Sequence, residues 1–304
     1  MSWLTEPFTH EFMQRALVGG ALIGFTNGYL GAYVVLRRLA LMADSLSHSM
    51  LPGLALGVML FGLSLSGLFF GGLAAALFVA LGAQMVARSS RMKEDTALAI
   101  LYTAAVSLGL VLLNFVKVRI SLTHYLFGNI LGLGDSDLWL SYGVALVTVP
   151  LLAALQRPYM LLLFQPDVAR SQSIRTGALN LLLIVLLVVT MVSSVQAVGV
   201  ILMLGLLIAP AATVYLLCDS FPAMLWGGGL IGSVGSVLGL VLSYRLSNLP
   251  SGAAIVLVLS AFFVLAWLFS PRYGLLRRYF RKRHFHDESL ARWPEHSEEK
   301  HDHH

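Results

Sequence analysis

The chain has 304 residues, 58% of them hydrophobic and only 12% charged, with a mean hydropathy of +0.81. A soluble domain is about a quarter charged, so this much apolar surface excludes a single water-soluble core and requires lipid as the solvent. A net charge of +5 would suggest nucleic acid in a soluble protein, but here the basic residues sit at the ends of apolar segments, which argues against that partner.

In chain order, Met1–Gln14 lacks a basic region followed by a cleavage site, so no removable signal peptide is expected. Apolar stretches follow at roughly 14–36, 40–62, 66–87, 96–116, 138–155, 178–195, 197–217, 224–244 and 252–270. Each has the length, about 17–25 residues, that crosses a hydrocarbon core of about 30 Å. The predicted fold class is therefore an all-α integral membrane protein, a polytopic helical bundle of about nine spans. The stretch Ile120–Gly134 is too short to span and reads as a re-entrant or interfacial piece. Residues 197–217 are open to a second reading, as part of a broken helix. Pro52 and Pro210 lie inside apolar helices and mark candidate kinks.

Orientation follows from the arginines and lysines. With the N-terminus outside, the inner loops carry Arg37 and Arg38, then Arg88, Arg91 and Lys93, then Arg157, Arg170 and Arg175, then the C-terminal run from Arg272 to Arg283. The outer loops hold only Lys117, Arg119 and Arg245. That asymmetry places the C-terminus in the cytoplasm of a bacterial inner membrane. Residues 1–275 form one membrane-spanning domain, and 276–304 a basic, His-rich tail. The tail holds His284, His286, His296, His301, His303 and His304; such composition reads as disorder, with loose metal binding as the other reading. Cys218 is the only cysteine, so neither an internal disulfide nor a thiolate metal site can form.

Small residues recur at four-residue spacing: Gly20, Gly24 and Gly28; Gly53 and Gly57; Gly228 and Gly232; Gly235 and Gly239. The pattern lets helix backbones approach closely in lipid. It reads as packing within one subunit, with a dimer seam as the alternative.

Ionisable groups inside a spanning helix are costly and are functional candidates by default. The conspicuous case is the run ADSLSHS, where Asp44 and His48 are four apart and share one helix face. Counting from Arg38 at about 1.5 Å per residue, Asp44 lies about 9 Å deep and His48 about 15 Å, near the middle of the bilayer. A carboxylate with an imidazole suits a divalent first-row metal, and Ser45, Ser47 and Ser49 are placed to support the pair. One helix supplies two ligands, too few for a site. A second copy related by a two-fold axis, or waters, would complete it. Two plainer readings stay open: a polar cytoplasmic loop, or a structural Asp–His hydrogen bond. His124, Asp135 and Asp137, on the outer side, read as solvated or as a docking surface.

One inner loop, PDVARSQSIRTG (Pro166–Gly177), reads as a short helix across the membrane surface, with Asp167 capping its start and Gly177 ending it. It is a docking element for a soluble partner or a plain connector. No G-x-x-x-x-G-K-[ST] phosphate loop occurs, and none of the four lysines follows a glycine. If transport is ATP-driven, the motor is another chain.

The run VLRRLALMADSLSHSMLPG (Val35–Gly53) resembles the permease subunits of bacterial zinc, manganese and iron ABC importers. So do YLFGNIL (Tyr125–Leu131), VGVILMLGLLIAPAA (Val198–Ala212) and LPSGAAIV (Leu249–Val256), and together the resemblance covers most of residues 10–275. The first run is the most specific, since it combines paired arginines, the D-x-x-x-H pair and Pro-Gly in order. Glu6-Pro7-Phe8 with Phe12–Leu17 is similar to the manganese/iron branch. The resemblance implies a homo- or heterodimeric permease, two cytoplasmic ATPase subunits that bind the ATP, and an extracytoplasmic metal-binding protein. It implies no resident cofactor, only a transported manganese, iron or zinc ion. Asp44 and His48 match the positions of the family's pathway ligands. Asp167, Ala169, Arg170, Ile174, Arg175 and Gly177 fall where its ATPase-coupling helix lies. Ala43, Ser45 and Ser49 depart from the expected Gly or Ala. The implied mechanism is alternating access. An ion-coupled secondary carrier or channel, and an intramembrane enzyme using Asp44 and His48 as an acid–base pair, are the competing classes.

Overall fold

A computed structural model describes residues 11–62, 64–115, 130–246, 249–270 and 274. The expectations for Glu6–Phe8, for Lys117, Arg119, His124 and most of Ile120–Gly134, and for the tail 276–304 lie outside the described residues. Within them every regular element is helical. In chain order these are α1 (Glu11–Leu36), α2 (Ala40–Ser49), α3 (Leu51–Phe61), α4 (Leu65–Ser89), α5 (Glu94–Phe115), α6 (Asp135–Ala154), α7 (Gln156–Phe164), α8 (Pro166–Ser171), α9 (Thr176–Val198), α10 (Val200–Leu217), α11 (Phe221–Arg245) and α12 (Ser251–Phe269), with a short 3-10 turn at Ile130–Gly132.

Eight of these helices are long and apolar enough to cross a membrane: α1, α4, α5, α6, α9, α10, α11 and α12. The stretch expected as the second span is present but divided into α2 and α3 at Met50. The cause is Pro52, which removes the amide that would donate to the carbonyl of His48. Met50 keeps helical angles (φ −69°, ψ −23°), so α3 follows α2 without a loop, and with the eight long helices the two together agree roughly with the expected nine. Residues 197–217 are not one broken piece. Gly199, at φ +82°, separates α9 from α10, and only glycine adopts such an angle without strain. Pro210 lies inside α10 as expected, and Pro150 inside α6 was not anticipated as a kink site.

The glycine patterns resolve into seams inside the subunit. Gly24 and Gly28 of α1 meet Gly232 and Gly228 of α11, and Gly53 and Gly57 of α3 meet Gly71 and Gly67 of α4. Gly20 faces Leu240, Gly235 faces Leu259, and Gly239 lies against the backbone of Ile255. Every one of these glycines therefore serves packing within the chain. The bundle is also pinned by polar contacts across helices: Asn27 Nδ2 donates to Ser194 Oγ at 2.7 Å, and Thr148 and Thr190 pair at 3.2 Å. In lipid such bonds add modestly to van der Waals packing.

The contacts also sort the two ends of the bundle. At one end Tyr33 Oη donates to Leu152 O, Tyr159 Oη donates to Leu179 O, and Arg37 donates to Asn180 Oδ1 at 2.6 Å. Arg38, Arg157, Arg170 and Arg175 belong to this end. At the other end Arg15 pairs with Glu11 at 2.6 Å and with Asp135 at 3.0 Å.

Candidate metal pair and coupling arm

Asp44 and His48 lie on α2, one turn apart, as expected from their spacing. His48 Nε2 stands 3.8 Å from Asp44 Oδ1, beyond hydrogen-bond length. The stretch is helix, so the reading as a polar loop is set aside. The opposite face of α2 (Met42, Ala43, Leu46, Ser47 and Ser49) is buried, against α5, α4, α9 and α10. The ligand face is not covered: the Asp44 side chain is 53% exposed and that of His48 36%. Leu41, at 78%, lies one turn before them; the residues that follow, from Ser49 to Ala55, are buried or half-buried, and Leu56, Met59 and Leu60 of α3 are exposed again beyond them.

The serines do something other than expected. Ser45 donates to Leu41 O, Ser47 to Asp44 O and Ser49 to Leu46 O. Short hydroxyl side chains in helices commonly bond back to the carbonyl three or four residues earlier, so these protons are spent on the helix itself. Among the described residues no group of three or more His, Cys, Asp or Glu side chains could hold a metal ion. One chain therefore offers a carboxylate and an imidazole, two ligands that need others.

The inner loop also differs in detail. Its helix, α8, spans Pro166–Ser171 and is only 6 residues long. Pro166 opens it, where a missing amide is harmless, and Gln165, not Asp167, occupies the N-cap. Asp167 instead points outward and pairs with Arg170 at 3.7 Å. The helix stops at Ser173, at φ +59°. Ile174 N donates back to Ala169 O and Ser173 N to Arg170 O, a Schellman ending. Gly177 is not the stop signal; it lies in the first turn of α9. The serine supplies the left-handed position that the glycine was expected to supply. Ala169 is fully buried and Ile174 half-buried, while Asp167, Arg170, Arg175 and Gly177 are exposed.

Sequence reasoning missed α7, which carries α8. Nine residues are too few to span, and the helix follows α6 with only Leu155 between. Tyr159 is its one buried residue. The Tyr159 ring meets Tyr33 edge-on at 5.2 Å, and Tyr33 meets Phe221 at 5.5 Å. Arg37 is lowered by burial, an effect opposed by the charge of Glu94 and by Tyr159.

The sequence matches the ABC 3 transport family over residues 9–270. It is similar to the manganese transport system membrane protein MntC of Listeria monocytogenes, with 37% identity over 276 residues, 91% of this chain and 97% of that protein. It is likewise similar to the probable iron transport system membrane protein of Haemophilus influenzae, with 37% identity over 269 residues, 88% of this chain and 97% of the other. Among solved structures it resembles a chain of PsaBC from Streptococcus pneumoniae in complex with Fab, at a TM-score of 0.80 and 31% identity, covering 91% of this chain and 99% of that one.

Proposed function

This chain belongs to the ABC 3 transport family, and we propose that it is the membrane-spanning subunit of an ATP-driven importer for manganese or iron. The observation that carries the reading is the uncovered stripe of α2 with Asp44 and His48 in it. A carboxylate facing lipid is unfavourable, by about 2.5–3.5 kcal/mol at the bilayer centre even on the mildest scale and by less towards the surface. A second permease subunit, identical or closely related, covers that stripe. Its own Asp and His complete an N₂O₂ set, which suits a divalent first-row ion. The names of the relatives support manganese or iron over zinc.

The metal is cargo. It arrives from an extracytoplasmic binding protein at the Arg15–Asp135 end, which faces outward, and is held by the paired Asp44 and His48. The arginine-rich end faces the cytoplasm. There α8 and the turn into α9 dock one of two ATPase subunits, presenting Asp167 and Arg170 from the helix around the buried Ala169, Ile174 and Arg175 from the turn, and Gly177 from the start of α9. ATP hydrolysis resides on those subunits, and its stroke alternates access between the two sides.

Metal uptake in cells tests the reading, comparing wild type with Asp44→Ala and His48→Ala across manganese, iron and zinc. Loss of manganese or iron uptake in both variants at equal protein level is the expected outcome; wild-type uptake in both would remove the site.

A further inference from the structure

The exposed helix α8 packs on α7, and Tyr159 is the only buried residue of α7. A push on α8 reaches the rest of the bundle along the chain into α9 and through the few contacts of this arm. Tyr159 supplies two of them. Its hydroxyl donates to Leu179 O at 2.8 Å, in the first turn of α9. Its ring lies edge-on to Tyr33 of α1, at 5.2 Å and 69°. Tyr33 is fully buried, donates to Leu152 O at 3.2 Å and meets Phe221 at 5.5 Å. The Tyr33 ring thus cannot turn aside when the arm moves.

From Tyr33 the chain reaches the metal helix with no slack. Arg37 lies one turn on and is tied to Asn180, next to Leu179. Arg38, at φ +57°, ends α1, and Leu39 N donates back to Val34 O at 2.8 Å. α2 begins at the following residue, Ala40, and Asp44 is one turn further. Side chains packed to this density move as discrete units rather than deforming smoothly.

We propose that Tyr159 is a positioning residue of transport, the joint through which displacement of the α7–α8 arm reaches the Arg37–Leu39 turn and so re-aims Asp44 and His48. The proposal rests on the reading of α8 as the ATPase-docking helix and of Asp44 with His48 as the metal pair. It predicts that a Tyr159 variant separates ATP hydrolysis from metal movement while leaving metal binding intact. A tyrosine serving packing alone would lower both activities together, in proportion to folded protein.

The test uses the complete transporter in liposomes, with permease, ATPase subunits and binding protein present, and Mn²⁺ as the probe. Mn²⁺ uptake and ATP hydrolysis are read in the same sample. Tyr159→Ala and Tyr159→Leu should lower the Mn²⁺ moved per ATP by about fivefold or more, the low end of measured coupling effects. Mn²⁺ affinity without ATP should be unchanged. Tyr159→Phe keeps the ring edge and should stay close to wild type. If Tyr159→Ala fails to accumulate, the leucine variant refills most of the space, and Tyr33→Leu breaks the same contact from α1. An unchanged ratio in the leucine variants, or a phenylalanine variant as uncoupled as leucine, would overturn the joint. Wild-type uptake separates the two readings: no ATP-dependent Mn²⁺ uptake by the wild type strikes the transport reading itself, whereas normal wild-type uptake with an unchanged ratio strikes the joint alone.

Discussion

Gly28 of α1 and Gly228 of α11 touch backbone to backbone, so that a methyl built on either overlaps the carbonyl of the other. Gly24 and Gly232 repeat the contact one turn away. Nothing in this seam can yield like the end of a long side chain; two helices must separate. Gly28→Ala and Gly228→Ala are therefore expected to destabilise by about 1–3 kcal/mol each. Gly143, in α6, has open space around it, and Gly143→Ala should be neutral or slightly stabilising. Thermal melting of the detergent-solubilised protein compares the three. Equal midpoints would mean that the seam tolerates a methyl and that close approach is not what these glycines provide.

The proposal that Asp44 and His48 ligate the metal predicts a pH dependence without appeal to any neighbour. Imidazole and carboxylate both bind a metal only after losing their protons. Uptake should weaken as the medium is acidified, and excess Mn²⁺ should partly restore it, since metal and protons compete for the same atoms. His48→Gln and Asp44→Asn keep polarity but lose the stronger ligand atoms, and each should lower uptake about tenfold or more, the scale at which even supporting groups of metal sites act. Acid inhibition that persists undiminished in His48→Gln would assign the effect to some other group.

The spans were legible because length and hydropathy alone define them: each observed long helix falls within a few residues of its expected place. That Asp44 and His48 share one helix face was legible from their four-residue spacing alone. Three things were not. The break at Met50 depends on Pro52 acting two residues downstream, and a proline in an apolar run signals a kink without fixing where the helix divides. The glycine stripes announced close packing, but which stripe meets which is a tertiary fact, as the pairing of Gly53 with Gly71 illustrates. The cluster of Tyr33, Tyr159 and Phe221 is assembled from α1, α7 and α11; single aromatics at membrane ends carry no sign that they will meet.

Arg38 and Ser173 are the two non-glycine residues with positive φ among the described residues, at +57° and +59°. A side chain in this conformation is unfavourable by roughly 1–2 kcal/mol relative to glycine, partly offset because glycine has more freedom to lose on folding. Arg38→Gly is thus expected to raise the stability of the α1–α2 turn by up to about 1 kcal/mol. Arg38→Ala, which removes the same charge but keeps a Cβ, should not. A melting comparison of the two variants isolates the backbone contribution; equal midpoints would mean that the Schellman ending bears no strain.

Tyr159 gives the clearest sign in a pH experiment. Burial pushes its phenol up to about 12 from the ordinary 10.0, against an opposing pull from Arg37. Since the folded value lies above the unfolded one, its contribution is fully present below pH 10 and is lost as pH rises towards about 12. Tyr159→Phe has no proton to lose and gives up only the bond to Leu179 O, about 1 kcal/mol. The wild type should therefore melt above the variant near neutral pH, and the gap should narrow between about pH 10 and 12. A gap that stays constant across that range would show that the phenol is reached by water before the fold opens, and that α7 is held more loosely than its one buried side chain implies.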